Sequence, residues 1–200
     1  MTRAPPTRRR FAWRGNLMGV SPVSRISTPA LDTATGATAE LYARIKKAAG
    51  SVPNTFAAIG ALQPAALKAA LDAEAVLAAG SLSKKDLETI RLTVSVATGC
   101  DYCTAAHSLL GKLAGLSGDA VRQLREGRPT RDAKRDALAS FVRTLVTTSG
   151  TISDGQFAAI KAAGYTDQQL VEISLAVALI IFTNVFNRIN DTDVDSPPVN

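Results

Sequence analysis

The chain has 200 residues, of which 46% are hydrophobic and 20% charged, as expected of a soluble globular protein with one core. Five of its 23 basic residues precede Met18, where no acidic residue occurs, and the remaining 18 nearly balance the 17 acidic ones. This balance argues against a basic nucleic-acid surface. The longest apolar run, LAVALIIF at 175–182, is far shorter than the roughly 20 residues of a membrane span and predicts a buried helix segment.

The first 25 residues are rich in Pro, Arg, Ser and Thr and are predicted to form a basic, disordered extension. The stretch TRRRF at 7–11 resembles a twin-arginine export signal. Such a signal also needs an apolar region, and Arg14, Asn16 and Pro22 interrupt the residues that follow. We therefore expect a cytoplasmic protein, with Met18 as an alternative translation start.

Helical spacing of apolar residues begins near Thr35 and recurs to about Asn190, and the last ten residues are predicted to be extended or disordered. The first helix ends at Gly50, and a short apolar helix follows the turn SVPN. A third helix is bracketed by Pro64 at its start and Gly80 after its end, the asymmetry expected of helix termini. These features predict helices joined by short turns.

The next boundaries are marked by capping residues. Ser83 with Asp86 resembles a capping box, and the helix it opens ends at Gly99. The following helix reaches about Ala114 and is closed by Gly115. Ser117 begins a short helix.

Thr130 is predicted to begin a longer helix that runs through about Thr148. Capping boxes at Ser153 with Gln156 and at Thr166 with Gln169 open the last two helices. No stretch shows the alternation of a β-strand. The sequence thus predicts an all-α bundle of about eight helices in one domain over residues 26–195, with residues 196–200 as a C-terminal tail.

The stretch GCDYCTAAH, at 99–107, contains both cysteines and the only histidine of the chain. On a helix, Cys100, Cys103 and His107 fall within an arc of about 60°, so one face presents two thiols and an imidazole. A C-x-x-C pair that opens a helix can close into a disulfide, and the positive helix end favours a thiolate at its first cysteine. His107 could exchange protons with a thiol near neutral pH.

Glu88 is a candidate base for this site. In one unbroken helix it would lie about 18 Å from Cys100 and about 120° round the axis, too far for contact. A chain reversal near Gly99 would instead bring the carboxylate to the motif, where it could accept a proton from a thiol. The spacing alone leaves both arrangements open.

The motif can be compared with three other kinds of site. A structural zinc site needs four ligands, and the motif supplies three, with Glu88 as a conceivable fourth. A c-type haem site needs a histidine directly after the second cysteine, where Thr104 stands. A structural disulfide would close too small a loop to restrain the chain. The placement of these groups together favours redox catalysis with no metal.

The spacing of the motif resembles the core motif of the alkylhydroperoxidase AhpD family, part of the carboxymuconolactone decarboxylase-like superfamily. Glu88 is followed by eleven residues, then CDYC, three residues and His107. GSVPNTFAAIG at 50–60 and AAGYTDQQLVEISLAVALIIFTNVFN at 162–187 are also similar to stretches of that group. The likeness extends from about Ile26 to Asp195. It implies an all-α fold, assembly into homo-oligomers such as trimers or hexamers, and peroxidase or disulfide reductase activity.

The resemblance also implies roles for single residues. Cys103 would be the peroxidatic thiol and Cys100 the resolving thiol, the two forming the redox disulfide. Glu88 would accept a proton through the Cys100 side, with His107 completing the relay. The implied partners are a hydroperoxide and an external dithiol reductant, in some members a lipoyl group on a carrier protein, with no tightly bound cofactor. Tyr102 departs from the family pattern, because well-known peroxidase members carry a second histidine there.

Two other functions are compatible with the superfamily. One is a lyase that acts on a muconolactone-like substrate, a reaction that members of that branch carry out without the cysteine pair. The other is a non-catalytic stress-response oligomer. We expect these alternatives to differ from a peroxidase in their dependence on the two thiols.

Overall fold

Helices account for all of the regular structure in residues 24–197, the part of the chain that the computed structural model describes. Nine α-helices and one short 3-10 turn, Leu31–Thr33, occur there without any strand. This confirms the all-α, single-domain prediction, with one helix more than the eight expected. The helices are α1 Gly36–Ala49, α2 Asn54–Leu62, α3 Pro64–Ala78, α4 Lys84–Thr98, α5 Asp101–Leu113, α6 Gly118–Arg125, α7 Ala133–Thr147, α8 Asp154–Ala162 and α9 Asp167–Asn190.

The two ends of the chain lie largely outside the described residues. Most of the predicted basic extension, including the arginine cluster and Met18, belongs to residues 1–23. Its last two residues, Ser24 and Arg25, are described and contact the end of α9: the Arg25 amide donates to the Asn190 carbonyl at 2.7 Å. Of the predicted C-terminal tail, Ser196 and Pro197 are described.

Side-chain capping boxes begin three of the helices, including α4, which carries Glu88, and α9, which carries Asn187. The three predicted capping boxes, opened by Ser83, Ser153 and Thr166, are present at the starts of α4, α8 and α9. Each satisfies backbone N–H groups that a helix start leaves without partners. The local sequence therefore determines where these helices begin.

The start of α7 differs from the prediction. Asp132, rather than Thr130, is the N-cap, and its side chain accepts from the Arg135 amide at 3.0 Å. Thr130 instead donates its amide and its hydroxyl to Asp136 Oδ1, at 2.6 and 2.7 Å. The prediction of Thr130 as helix start was wrong because the Asp136 carboxylate holds Thr130 outside the helix, in the preceding loop.

Helix α4 lies at the centre of the bundle and packs against α5, α7 and α9. Its residues Ile90, Leu92 and Val94 are completely buried, so more than one face of the helix contacts protein. A helix enclosed in this way contributes its polar side chains to the interior as well as its apolar ones. This is how Glu88 comes to be buried.

A single glycine ends α4. Gly99 adopts φ 68° and ψ 37°, the left-handed conformation, which costs an ordinary L-residue about 1 kcal/mol. The Cys100 amide then donates back to the Ser95 carbonyl at 3.0 Å, and α5 begins at Asp101. This is the chain reversal that the sequence left open, and it packs α5 against α4.

Helix α9 has one buried and one exposed face. Over the described residues it is the one helix long and apolar enough to cross a membrane by length and composition, a test that core helices of soluble proteins also pass. Its inner face buries Asn184, Asn187 and Asn190. The prediction that LAVALIIF forms a buried segment holds for one face only, because Phe182 is 39% exposed. The outer face exposes an apolar stripe, defined here as Val171, Phe182, Val185 and Ile189.

Candidate active site

The two cysteines occupy the first turn of α5. Cys100 is the N-cap, and its Sγ accepts a hydrogen bond from the Cys103 amide at 3.4 Å. Both thiols are free, and their residues are 1% and 3% exposed. The pair is therefore held close together in one turn, shielded from bulk water, at the positive end of a helix.

Glu88 reaches the motif across the α4–α5 contact. Its Oε2 lies 2.8 Å from His107 Nδ1, and its Oε1 accepts from Arg91 Nη1 at 2.6 Å. Arg91 also pairs with Glu74 on α3. When the Nδ1–H of His107 donates to the carboxylate, its Nε2 remains available as a proton acceptor. Glu88 and His107, 19 residues apart, thus form one hydrogen-bonded unit.

The pKa of Glu88 is lowered. Burial opposes its ionisation, but the charge and hydrogen bond of His107, together with those of Arg91, outweigh burial. A folded-state pKa below the unfolded value means that ionised Glu88 stabilises the fold at neutral pH. That contribution is lost as the pH falls through the folded-state pKa.

The two thiols ionise unequally. A hydrogen bond from the Cys103 thiol, helped by the Cys103 amide, lowers the pKa of Cys100. The same hydrogen bond, together with burial and the neighbouring negative charge, raises the pKa of Cys103. The pair therefore loses its first proton at Cys100, and Cys103 shares its own proton with that sulfur.

Cys103 also contacts α9, and through α9 it is linked to α2. Asn187 Nδ2 donates to Cys103 Sγ at 3.2 Å, and Thr55 Oγ1 donates to Asn187 Oδ1 at 2.8 Å. Thr55 and Asn187 are both buried, at 3% exposure each. The sulfur is thus linked by hydrogen bonds to two helices distant from it in sequence.

Tyr102 links the motif to the last described residues of the chain. Its hydroxyl donates to Asp195 Oδ1 at 2.8 Å and lies 3.5 Å from the Thr55 amide. The other carboxylate oxygen of Asp195 accepts from the Asn54 amide at 2.7 Å. Burial, together with the nearby Asp195, raises the pKa of Tyr102, so the phenol remains protonated and donates. At the position where the family pattern has a histidine, this chain has Tyr102, whose hydroxyl is hydrogen-bonded to Asp195 in the segment that follows α9.

A pocket of about 290 Å³ opens onto Cys103 and His107. Cys100 does not line it, so a small molecule in the pocket reaches only the second sulfur. Ser196 and Pro197, assigned by sequence to a tail, form part of the wall. The rest of the wall is largely apolar and includes Pro53, Phe56, Ala106, Leu109 and Leu110.

The site residues lie within a segment that matches a known family. The carboxymuconolactone decarboxylase family model matches residues 64–139, which include Glu88, both cysteines and His107. The fold also agrees over most of the chain with solved AhpD-core and peroxidase-related proteins. The chain has an AhpD-like fold and a segment that matches the carboxymuconolactone decarboxylase family. This confirms the resemblance drawn from the spacing of the motif.

Solved structures similar to this AhpD-like chain agree over most of its length. An AhpD-core, peroxidase-related protein from Ralstonia eutropha has a TM-score of 0.79 at 21% identity, covering 88% of this chain and 94% of its own. A peroxidase-related protein from Silicibacter has a TM-score of 0.73 at 22% identity, with the same two coverages. A cysteine-to-alanine variant of the debrominase Bmp8, in complex with 2,3,4-tribromopyrrole, has a TM-score of 0.71 at 18% identity, covering 84% and 90%. No curated protein matches by sequence.

The fold brings the four predicted residues together as two adjacent pairs. Cys100 contacts Cys103, and Glu88 contacts His107, while Cys103 and His107 border the same pocket. Within residues 24–197, no group of three or more His, Cys, Asp and Glu side chains is placed to hold a metal ion.

Sequence reasoning missed several residues of the site. Arg91 carried a usable signal, because it follows Glu88 at the i+3 spacing of helix ion pairs. Thr55, Asn187 and Asp195 carried none, since each meets the motif from a distant part of the chain and belongs to a residue type common in any sequence.

Proposed function

We propose that this AhpD-like chain is a thiol-dependent peroxidase, or disulfide oxidoreductase, that reduces organic hydroperoxides. The observation that carries the proposal is the position of Cys103, at the wall of an apolar pocket with Cys100 hydrogen-bonded directly behind it. A nucleophilic sulfur next to a second sulfur suits a cycle that ends in a disulfide. The largely apolar wall favours a substrate with a hydrocarbon group over hydrogen peroxide.

In the first step, the Cys103 proton passes to the Cys100 thiolate, and the Cys103 thiolate attacks the distal peroxide oxygen. The sulfur–oxygen bond forms as the oxygen–oxygen bond breaks, so Cys103 becomes a sulfenic acid and the peroxide leaves as an alkoxide. The alkoxide takes up one proton to become the alcohol. The uneven ionisation of the pair supports this order, because Cys100 is the more easily ionised sulfur and so the nearest base.

In the second step, Cys100 gives up the proton that it received in the first step, by way of water, to the Glu88–His107 pair. The Cys100 thiolate then attacks the Cys103 sulfenic sulfur and expels hydroxide, which takes a proton from the same pair and leaves as water. The resulting disulfide is reduced by exchange with an external dithiol, which is itself oxidised to a disulfide. In some members of the family that dithiol is a lipoyl group on a carrier protein. Neither step requires a bound cofactor.

The Glu88–His107 pair is proposed to supply and remove the protons of this cycle. His107 borders the pocket and can donate to the departing alkoxide, while ionised Glu88 stabilises the imidazolium and fixes its ring orientation. Proton exchange between this pair and Cys100 passes by way of water, as in the relay implied by the family.

The test is a peroxide-consumption assay on the reduced protein, with cumene hydroperoxide and hydrogen peroxide as substrates and dihydrolipoamide or dithiothreitol as reductant. We expect faster consumption of the organic peroxide. Without reductant, we expect a mass loss of two hydrogens per chain, from one intramolecular disulfide. Consumption no faster than that caused by the reductant alone, with both thiols still reduced, would contradict the proposal.

A lyase is the second candidate, favoured by the family whose model matches residues 64–139. Such a reaction does not use the thiol pair. Decarboxylation of a muconolactone by a chain in which Cys100 and Cys103 are both replaced by serine would favour the lyase. A non-catalytic oligomer would instead show slow thiol oxidation and no dependence on the reductant.

We also propose that the protein is a soluble, cytoplasmic homo-oligomer, a trimer or hexamer, assembled through the apolar stripe of α9. Each residue of the stripe is 39 to 71% exposed, and together they lie along one side of the helix. Exposed apolar stripes of this kind commonly mark interfaces. A second copy presenting the same stripe would bury both.

Assembly through the stripe predicts that Val185→Glu with Ile189→Glu lowers the mass measured by light scattering towards that of a single chain, because two carboxylates would be buried without partners. Ser140→Glu, an exposed change on α7, serves as the control and should leave the mass unaltered. An unchanged assembly in the stripe variant would mean that another surface forms the interface.

A further inference from the structure

Three buried asparagines follow one another at i, i+3 spacing on the inner face of α9, and they differ in what they donate to. Asn184 Nδ2 donates to Thr98 Oγ1 at 2.9 Å, and Asn190 Nδ2 donates to Thr192 Oγ1 at 3.0 Å. Asn187 Nδ2 donates to the Cys103 sulfur. Hydroxyl oxygens are good acceptors, whereas a neutral thiol sulfur is a weak one.

A buried amide that donates to a weak acceptor recovers little of the hydration it has lost. Ionisation of Cys103 changes this, because a thiolate accepts a charge-assisted hydrogen bond, which is roughly twice as strong as a neutral one. The hydrogen bond from Asn187 to Cys103 is therefore stronger when the sulfur is negatively charged. A donor placed in this way favours the thiolate over the thiol.

The orientation of the Asn187 amide is held from its other end. The Thr55 hydroxyl donates to Asn187 Oδ1 at 2.8 Å, which leaves the amide N–H directed at the sulfur. The Thr183 hydroxyl, also on α9, donates to the Ile180 carbonyl at 3.1 Å and makes a smaller contribution to lowering the pKa of Cys103. Asn187 is the neutral donor that lowers this pKa most.

We propose that Asn187 is a catalytic residue that stabilises the Cys103 thiolate through its side-chain N–H, and that Thr55 is the positioning residue that directs this N–H at the sulfur. The inference rests on the proposed role of Cys103 as the attacking thiol. It adds to the Glu88–His107 pair a donor from α9, which stabilises negative charge without moving a proton.

The charged and titratable groups around Cys103 act alongside Asn187. On α5, Cys100 contacts the sulfur and His107 borders the same pocket, with Glu88 behind His107 on α4. From α9, the positive charge of Arg188 lowers the pKa of Cys100. The remaining groups facing the pair are Asp101 and Tyr102 on α5 and Asp195 beyond α9. A test of Asn187 must leave all of these in place except Cys100, whose own titration would obscure that of Cys103.

The test measures the ionisation of Cys103 by the pH dependence of its alkylation with iodoacetamide, in a Cys100→Ser background that leaves one thiol. We expect Asn187→Leu to raise the apparent pKa of Cys103 by about one to two units. Asn184→Leu, a change of the same size on the same buried face, is the matched control and should leave that pKa within about half a unit. Equal shifts in the two variants, or none in Asn187→Leu, would overturn the proposal.

Variants of Thr55 test its positioning role while Asn187 remains in place. Thr55→Val removes the hydroxyl at nearly constant volume and should raise the pKa of Cys103 by about half a unit to one unit, whereas Thr55→Ser keeps a donor and should restore it. A shift in Asn187→Leu with none in Thr55→Val would refute the role of Thr55 alone. Because alkylation needs no peroxide, this result stands or falls separately from the peroxidase assay.

Discussion

Peroxide turnover is expected to vanish when Cys103 is replaced by serine, whereas Cys100→Ser should still carry out the first chemical step, more slowly because Cys100 no longer takes up the Cys103 proton. Both residues lie in the same buried turn, but only Cys103 lines the pocket. A serine hydroxyl is far less acidic than a thiol and does not form a sulfenic acid. The two variants thus separate attack on the peroxide from resolution of the oxidised sulfur.

The measurement is peroxide consumption with a dithiol reductant, together with mass analysis after a dimedone trap for sulfenic acid. We expect the trapped adduct in Cys100→Ser, at one per chain, and none in Cys103→Ser. Serine also keeps an oxygen at the N-cap of α5, so the helix start should survive in Cys100→Ser. An adduct in Cys103→Ser and none in Cys100→Ser would reverse the assigned roles of the two cysteines.

Glu88→Gln is expected to lower turnover about a hundredfold, because neutral glutamine does not stabilise an imidazolium at His107. Glu74→Gln provides a matched control, since both carboxylates contact Arg91 but only Glu88 contacts His107. Glu74 is partly exposed, and its loss should change turnover less than about threefold. The comparison isolates the effect on His107 from any disturbance of Arg91.

The pH dependence of stability adds an independent measure of the same residue. Because the pKa of Glu88 is lowered in the folded protein, wild type should be more stable than Glu88→Gln at neutral pH, as followed by urea unfolding. The difference should shrink as the pH falls through the folded-state pKa of Glu88.

Equal losses of turnover in the Glu88 and Glu74 variants would show that the reaction depends on Arg91 rather than on the Glu88–His107 pair.

Local signals in the sequence were sufficient for most helix boundaries and for the proximity of Cys100 and Cys103. Capping boxes and terminal glycines are short-range features whose physics acts within one turn, so Ser83, Ser153 and Thr166 were correctly placed. The failure at Thr130 has the same physical basis. Two capping residues stood two positions apart, and a contact with Asp136 decided between them.

The parts of the site formed by tertiary contacts were not predictable in this way. Glu88 could be assigned only as a choice between two arrangements, until the left-handed Gly99 showed that the chain turns back. Asn187 lies 84 residues from Cys103 and 132 from Thr55, and no spacing rule connects such positions. Tyr102 was recognised as a departure from a pattern, but its bond to Asp195 depends on where the last residues pack.

Because α9 has a buried asparagine face and an exposed apolar stripe, an inserted residue within it affects both faces. Each added residue turns the rest of a helix by about 100°. One insertion between Asn184 and Asn187 would therefore move the amide away from the thiol and rotate Val185 and Ile189 out of their stripe. An insertion in the loop between α6 and α7 would leave the register of α9 unchanged, whereas one within α9 would disrupt the redox site and the outer surface together.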